Sequence, residues 1–163
     1  DAVPANFNAP GQVVISGTAA AVAAVCEAAA PAGARRVVPL EVSGAFHSRL
    51  MQSAADEMSA RLREVEMSRP AVPVVTNAGA QATEDVGDLR SQLLQQILAP
   101  VRWTECVRAI AARGIAAAAE VGPGSVLKGL VRRIDRKMTV VSAGTAAEID
   151  DLTGKNAKAD SDG

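Results

Sequence analysis

Aromatic side chains are nearly missing from this sequence of 163 residues, which has no tyrosine, one tryptophan and two phenylalanines. Alanine, valine, leucine and isoleucine must therefore fill the core, since apolar residues still make up 48% of the chain. Charged residues account for 21%, a balance typical of a globular chain and unlike that of disorder. The length suits one ordinary domain.

An excess of charge of either sign is also absent, because the formal net charge is −1 at pH 7. Proteins that bind nucleic acid usually carry a basic surface, so nucleic acid is not an expected partner. Every apolar stretch is interrupted by Cys, Glu, Pro or Gly before it reaches membrane-spanning length, so no membrane is expected either. Asp1 is not a start methionine and no signal-peptide pattern follows, which predicts a processed, cut or partial chain.

Cysteine is scarce as well. Cys26 and Cys106 are far apart in the sequence, and neither belongs to a metal-binding motif. We expect two free thiols, buried or half-buried, because cysteine packs as a small hydrophobic residue. This usage fits a reducing cytoplasm and predicts no metal site.

The apolar pattern predicts alternating strands and helices, and hence an α/β fold with a largely parallel sheet. Thr18 is a predicted cap for the first helix, GPG (122–124) is a predicted turn, and residues 144–163 lack an apolar period and are predicted to be a flexible tail. The predicted strands are 12–17, 35–42, 73–76, 115–121 and 139–143, and the predicted helices are 19–33, 48–66, 85–98, 103–114 and 125–134.

The single histidine, His47, lies in VSGAFHSRLM (42–51), between a predicted strand and a predicted helix. Loops after strands are where α/β folds place reacting groups, and histidine exchanges a proton near neutral pH. A histidine at a strand end is also commonly structural, and a catalytic one needs a nucleophile and a partner for its other nitrogen. The chain contains no G-x-S-x-G nucleophile elbow, so the residues alone leave both interpretations open.

Five motifs then point to one family. They are NFNAPGQVVISG (6–17), VPLEVSGAFHSRLM (38–51), RPAVPVVTNAGA (69–80), QQILAPVRWTECV (95–107) and EVGPGSVLKGLVRRI (120–134). In their order and spacing the chain resembles the C-terminal half of the malonyl-CoA:acyl-carrier-protein transacylase family, over roughly residues 1–143.

The resemblance implies a fold in two parts. Residues 1–42 would form the end of a ferredoxin-like small subdomain, and residues 43–143 the C-terminal part of an α/β-hydrolase-like large domain. The implied activity moves a malonyl group from malonyl-CoA to the phosphopantetheine thiol of acyl carrier protein through a malonyl-serine intermediate, with no bound cofactor. The family's GHSxGE serine elbow and its malonyl-binding arginine lie upstream and are not in this sequence. The chain alone is therefore expected to be inactive, with the missing N-terminal half and the coenzyme A thioester among its partners.

The resemblance also implies residue roles near the reaction. His47 would be the base, and the backbone carbonyl of Gln96 would orient its second ring nitrogen. Phe46 would favour malonyl over branched substrates, although a ring packed in the core is an equal alternative. Asn6 and Asn8, on a loop before a strand, would order water or pantetheine unless they only satisfy a turn.

Basic residues near the end of the last predicted helix form the remaining candidate site. Arg132 and Arg133, with Arg136 and Lys137, either complement the helix dipole or receive acidic carrier protein or the phosphates of coenzyme A. Two rivals stay open at this point: the acyltransferase domain of a polyketide synthase, and a non-catalytic fragment or interaction module. Short linkers favour a stand-alone enzyme over the first rival.

Overall fold

A computed structural model describes residues 1–154. The chain divides into two compact units, Asp1–Ala109 and Ile110–Gly163. This division does not fall at the predicted boundary between residues 42 and 43, and the assignment of 1–42 and 43–143 to two subdomains stays a prediction.

The first unit holds a β-hairpin, a minimal second hairpin and the longer helices. In chain order its elements are β1 Ala2–Ala9, β2 Gln12–Gly17, α1 Ala19–Ala29, a 3₁₀ turn Arg49–Met51, α2 Gln52–Glu64, β3 Val74–Val75, β4 Ala82–Thr83, α3 Val86–Gln95 and α4 Trp103–Ala112, which runs past the end of the unit. Small aliphatic residues and one thiol form its buried core, as the composition predicts: Ala5, Ala9, Ala55, Ala80, Leu89, Cys106 and Val107.

Strands β1 and β2 form an antiparallel hairpin closed by Pro10 and Gly11. Proline fixes its own φ, and Gly11 has a φ of 74°, the combination that a type II turn requires. The other edge of β1 pairs with Val101, whose N–H donates to the Ala5 carbonyl at 2.8 Å and whose carbonyl accepts from the Phe7 N–H at 2.8 Å. The strand that carries Phe7 is thus held on both edges.

The placement of Asn6 and Asn8 on a loop was wrong, because both lie within β1. Ala5, Phe7 and Ala9 alternate with the two asparagines, which is the period of two expected of a strand. This alternation is the sequence signal for β1.

The strand predicted over 35–42 was also wrong. Residues 36–42 form no regular secondary structure, and Val42 is 66% exposed. Within residues 1–154 no strand pairs with this stretch. An unpaired extended segment leaves its backbone groups to water, so an apolar run without a neighbour does not become a strand.

Helix ends follow local chemistry. Thr18 caps α1 as predicted, its side chain accepting from the Ala21 N–H at 3.3 Å. Asp85 caps α3 through the Asp88 N–H at 2.8 Å. Helix α3 ends at Gln95, earlier than the predicted Leu98, because the chain must leave the helical path before Pro100.

The second unit contains β5 Ala117–Val121, α5 Val126–Ile134, β6 Thr139–Ala143 and α6 Ala146–Leu152. Strands β5 and β6 are parallel, in register from Ala117 opposite Thr139 to Val121 opposite Ala143. Its buried residues are Val131, Met138, Val140 and Ala143.

The turn between β5 and α5 is built as the GPG motif predicts. Gly122 and Gly124 have φ values of 124° and 97°, a region that other residues rarely adopt. The two carboxylate oxygens of Glu120 accept from the N–H groups of Leu127 and Lys128, each at 2.9 Å. A side chain from the end of the strand therefore satisfies the first turn of the helix.

Two further expectations need correction. The α/β class holds, but the sheet is not largely parallel: the described residues form three separate two-stranded sheets, of which β5–β6 alone is parallel. The connections from β1 to β2 and from β3 to β4 are too short for the crossover that parallel pairing needs. The flexible tail predicted over 144–163 is wrong for 146–152, which form α6, and residues 155–163 lie outside the described part.

Helix α6 forms because Thr145 and Glu148 make a capping box. Their Thr-x-x-Glu spacing is visible in the sequence and outweighs the weak apolar period. The same carboxylate accepts from the N–H of Gly144 at 2.8 Å, and these hydrogen bonds lower the pKa of Glu148.

Candidate active site

The loop that carries His47 is fixed by the side chain of the next residue. Ser48 is buried, donates its hydroxyl proton to the Ala45 carbonyl at 2.6 Å and accepts from the Leu50 N–H at 3.2 Å. Ser48 thus caps the helical turn that follows, as predicted. His47 itself has a φ of 60°, a left-handed conformation that is unfavourable for residues other than glycine and persists only where neighbours impose it.

His47 makes two hydrogen bonds through one ring nitrogen. Its Nδ1 lies 2.9 Å from the carbonyl oxygen of Gln96 and 3.1 Å from that of Ala99. A carbonyl oxygen only accepts, so Nδ1 must carry the proton. In the neutral imidazole the lone pair is then on Nε2, the form that a general base requires.

The Gln96 carbonyl lies at the end of α3, and the Ala99 carbonyl lies in the turn that follows it. Gln96 is the residue that closes this helix, and its own N–H donates to the Gln92 carbonyl at 3.0 Å. Carbonyls in the last turn of a helix have no intrahelical partner, so they are free to accept from elsewhere. The predicted Gln96 contact is present in the structure, whereas Ala99 was missed, since a backbone acceptor leaves no mark on residue type.

His47 borders an open cleft of about 360 Å³ in the first unit. Apolar groups predominate in its walls, and the charged group, Arg49, is paired with Asp1. The remaining lining residues are Val3, Pro4, Phe7, Ser48, Leu98 and Pro100. The cleft therefore offers one proton acceptor on a mostly apolar surface.

The other residues predicted near the reaction do not line this cleft. Phe46 is 48% exposed, so the alternative of a ring packed in the core is wrong. Its ring instead lies next to Gly44, 3.6 Å from the position that a Cβ atom would occupy there. Asn6 and Asn8 are half-buried in β1, outside the set of lining residues.

The predicted basic site belongs to the second unit. Arg132 and Arg133 lie in the last turn of α5 and, with Arg136, border a space of about 410 Å³. Three guanidinium groups around one concave surface favour an anionic ligand. Three of the four predicted basic residues thus border one space, and Lys137 is not among its lining residues.

Arg102, which follows the segment with the His47 acceptors, is hydrogen-bonded to the turn at residues 77–79. Its guanidinium donates to the Ala78 carbonyl at 3.2 Å, its backbone N–H donates to Asn77 at 3.1 Å, and it is paired with Glu105. The hydrogen bond between the side chains of Arg102 and Glu105 raises the pKa of Arg102 and lowers the pKa of Glu105. The sequence did not single out Arg102, because its Arg-x-x-Glu spacing with Glu105 is typical of an ordinary helix-surface pair.

The two cysteines are free thiols, as predicted. Cys106 is buried and Cys26 half-buried, and burial raises the pKa of the Cys106 thiol. Within residues 1–154, no group of three His, Cys, Asp or Glu side chains is arranged to hold a metal ion. The helices of the same range are all too short or too polar to cross a bilayer.

Comparison with known proteins gives a consistent set of relatives. The family model described as acyl transferase domain matches residues 1–159. The chain is 41% identical over 138 residues to the malonyl CoA-acyl carrier protein transacylase of Bacillus subtilis, and 45% identical over 136 residues to that of Salmonella typhimurium. These alignments cover 85% and 83% of the chain but 44% of each relative, so the chain spans less than half their length and matches their C-terminal half.

Solved structures agree with the sequence matches. An acyl carrier protein S-malonyltransferase from Vibrio cholerae superposes with a TM-score of 0.87 at 41% identity, over 93% of this chain and 49% of that one. A malonyl-transacylase in complex with a type II PKS acyl-carrier protein also gives 0.87, at 39% identity over 94% and 50%. The fold is therefore that of one part of an α/β acyltransferase.

Proposed function

The chain belongs to the acyl transferase domain family, and from this membership we propose that it supplies the base half of a malonyl-CoA:acyl-carrier-protein transacylase. The observation that carries the proposal is the contact of His47 Nδ1 with the Gln96 carbonyl oxygen, which requires the ring proton on Nδ1 and leaves Nε2 of this cleft-lining residue as the proton acceptor. The N-terminal half of the family's fold would supply the nucleophilic serine.

The reaction then runs in two transfers. The serine oxygen attacks the thioester carbonyl of malonyl-CoA while Nε2 of His47 takes the hydroxyl proton. The C–S bond breaks, the imidazolium returns the proton to the coenzyme A thiolate, and a malonyl-serine ester remains. The pantetheine thiol of acyl carrier protein next loses its proton to Nε2 and attacks the ester carbonyl. The ester C–O bond breaks, the malonyl thioester forms, and the imidazolium returns the proton to the serine oxygen. Splitting one transfer into two through a covalent intermediate is what makes a weak nucleophile sufficient.

The backbone acceptors suit this cycle. When Nε2 takes a proton the ring becomes cationic, and the dipoles of the Gln96 and Ala99 carbonyls point their negative ends at Nδ1–H. Acceptors fixed before the reaction stabilise the charge without reorganising. They therefore serve the role that a carboxylate serves in a serine–histidine–aspartate triad.

Acyl carrier protein is the proposed acceptor because the curated relatives carry that name and one structural relative holds such a partner. Arg132 and Arg133 would meet its acidic surface or the phosphates of coenzyme A. Phe46 would restrict branched acyl groups, and Asn6 or Asn8 would order water or pantetheine near the cleft. We place the reaction in the cytoplasm, where the two thiols stay reduced.

The acyltransferase domain of a polyketide synthase remains a second candidate. The observation that favours it is the type II PKS carrier protein bound to a structural relative. The two candidates differ in which carrier protein accepts the malonyl group, so rates with fatty-acid and polyketide carrier proteins separate them.

The decisive experiment combines this chain with the N-terminal half of the Bacillus subtilis relative and follows intact mass after addition of malonyl-CoA. We expect a malonyl adduct on the added half, transfer to acyl carrier protein, and a loss of rate of about 10²–10⁴-fold in His47→Ala. Ser53→Ala, on the exposed face of α2, is the control.

Two results would contradict the proposal. An adduct on this chain alone would place the nucleophile here rather than on the N-terminal half. The same rate with and without this chain would favour the non-catalytic interaction module.

A further inference from the structure

We propose that Pro100 is a positioning residue that keeps the Gln96 carbonyl available to His47. This inference rests on the proposed role of His47 as the base. It concerns why the acceptor is free, which the hydrogen bond itself does not explain.

The helical hydrogen-bond pattern ends around the carbonyl that His47 uses. The Gln96 N–H donates to the Gln92 carbonyl at 3.0 Å, and beyond it the Leu98 and Ala99 N–H groups both donate to the Gln95 carbonyl, at 3.1 Å and 2.8 Å. The bonds of Gln96 and Ala99 each join an N–H to the carbonyl four residues earlier, so the donor of the same kind for the Gln96 carbonyl would be the N–H of residue 100. Residue 100 is proline, which has no N–H, and its ring clashes with the carbonyl four residues before it.

Proline also directs the second acceptor. The residue before a proline is disfavoured in the helical conformation, so the helix cannot resume at Ala99. After Pro100 the chain is fixed by the backbone hydrogen bonds of Val101 to Ala5 and Phe7 of β1. Both carbonyls that accept from Nδ1 are thus set by the exit of the chain at Pro100, which itself lines the cleft.

The consequence is a bias in the histidine tautomer. In a variant with another residue at position 100, the new backbone N–H would compete with the Nδ1–H of His47 for the Gln96 carbonyl. Weakening that hydrogen bond favours the tautomer with its proton on Nε2, which has no lone pair for the serine proton. Pro100 would therefore act on catalysis through the ring of His47 without touching substrate.

The test uses the fact that His47 is the single histidine of the chain. With ¹⁵N-labelled histidine, long-range ¹H–¹⁵N correlation spectra at alkaline pH report the tautomer ratio of this one ring. We expect Pro100→Ala to lower the ratio of the Nδ1–H to the Nε2–H form by about fivefold, the worth of one ordinary hydrogen bond.

Replacement of Pro100 by lactic acid is the matched variant, because it differs from Pro100→Ala only in having an ester oxygen in place of the N–H. We expect it to keep the ratio of the unaltered chain. Pro73→Ala, at an exposed proline of the same unit, controls for the general effect of losing a proline and should leave the ratio unchanged. Equal ratios for the alanine and lactic acid variants would overturn the proposal.

A second pair of variants decides the matter if Pro100→Ala does not fold. Pro100→Gly also introduces an N–H at position 100, whereas replacement of Pro100 by glycolic acid does not, and equal tautomer ratios in this pair would refute the inference. Because neither test uses activity, the two proposals fail separately. A shifted tautomer without malonyl transfer would count against the function alone, and full transfer with an unshifted tautomer against Pro100 alone.

Discussion

The Nδ1 of His47 lies 2.9 Å from the backbone carbonyl oxygen of Gln96, and no part of the Gln96 side chain takes part in that contact. A helix end supplies the kind of acceptor that serine–histidine–aspartate enzymes take from a carboxylate. Since the contact uses the backbone alone, loss of the Gln96 side chain should leave it in place.

Gln96→Ala should change the malonyl transfer rate by no more than about twofold, the effect expected of a substitution outside the contacts that matter. Transfer is measured with this chain combined with the N-terminal half of a relative. A collapse of the rate with an unchanged circular dichroism spectrum would show that the amide side chain, rather than the carbonyl, does the work.

Phe46→Ser should relax selectivity toward methylmalonyl-CoA. Under the proposed function the acyl group reacts beside His47, so the exposed ring of the preceding residue would meet the branch of methylmalonyl. The ratio of kcat/KM for malonyl-CoA and methylmalonyl-CoA is the measurement, and one methyl group is worth about 10-fold in such a ratio. Phe46→Leu is the control that keeps most of the bulk. An unchanged ratio in Phe46→Ser would remove this role.

Charge reversal at Arg132 and Arg133 should raise the KM for acyl carrier protein by about tenfold, the worth of about 1.4 kcal/mol of lost attraction. Hydrolysis of malonyl-CoA in the absence of carrier protein should keep its kcat. The double reversal Arg61→Glu with Arg63→Glu, at two exposed arginines of α2, serves as the charge-matched control. If the control raises KM as much as reversal at Arg132 and Arg133 does, the effect is one of net charge alone.

Glu120→Ala should lower the free energy of unfolding by about 2 kcal/mol, because two N–H groups of α5 lose a charged acceptor. Glu120→Gln keeps one neutral acceptor and should lose about half as much. Urea unfolding followed by circular dichroism gives both values. Equal stability of Glu120→Ala and the unaltered chain would mean that water replaces the carboxylate without cost.

The buried thiol of Cys106 predicts a loss of stability in alkali. Burial holds its pKa above the ordinary value of 9.0, so the unfolded chain releases the proton at lower pH than the folded chain does. The stabilising effect is complete below the unfolded pKa and is lost as pH rises through the folded pKa. Urea midpoints at pH 8 and pH 10 should therefore differ more in the unaltered chain than in Cys106→Ala. The same difference in both chains would exclude Cys106 as the cause.

Local signals in the sequence carried much of the fold. Thr18, the GPG turn and the apolar period predicted α1, α5 and the strands β5 and β6, because caps, turns and periodicity are written in neighbouring residues. The segment 35–42 failed for the opposite reason. Its apolar residues are typical of a strand, but a strand also needs a partner, and periodicity carries no information about partners.

Some residues of the candidate site could likewise be predicted from the sequence, and others could not. His47 stood out as the single histidine of the chain, on a loop, and the family resemblance suggested the Gln96 carbonyl. Ala99 was out of reach, since every residue has a carbonyl and residue type does not say where it points. The position of the basic residues was readable, whereas the concave shape shared with Arg136 depends on how the end of α5 is folded.

Hydrogen-bond acceptors made of main chain also have a genetic consequence. No change of codon at position 96 or 99 deletes a carbonyl, so alleles with different side chains there would keep the contact to His47. A screen for inactive alleles would recover substitutions at His47 and at residues that direct the chain, and would pass over the two residues that hold the ring. In this protein the two hydrogen bonds that hold the His47 ring are inherited as a path of the backbone, which a scan of side-chain substitutions does not detect.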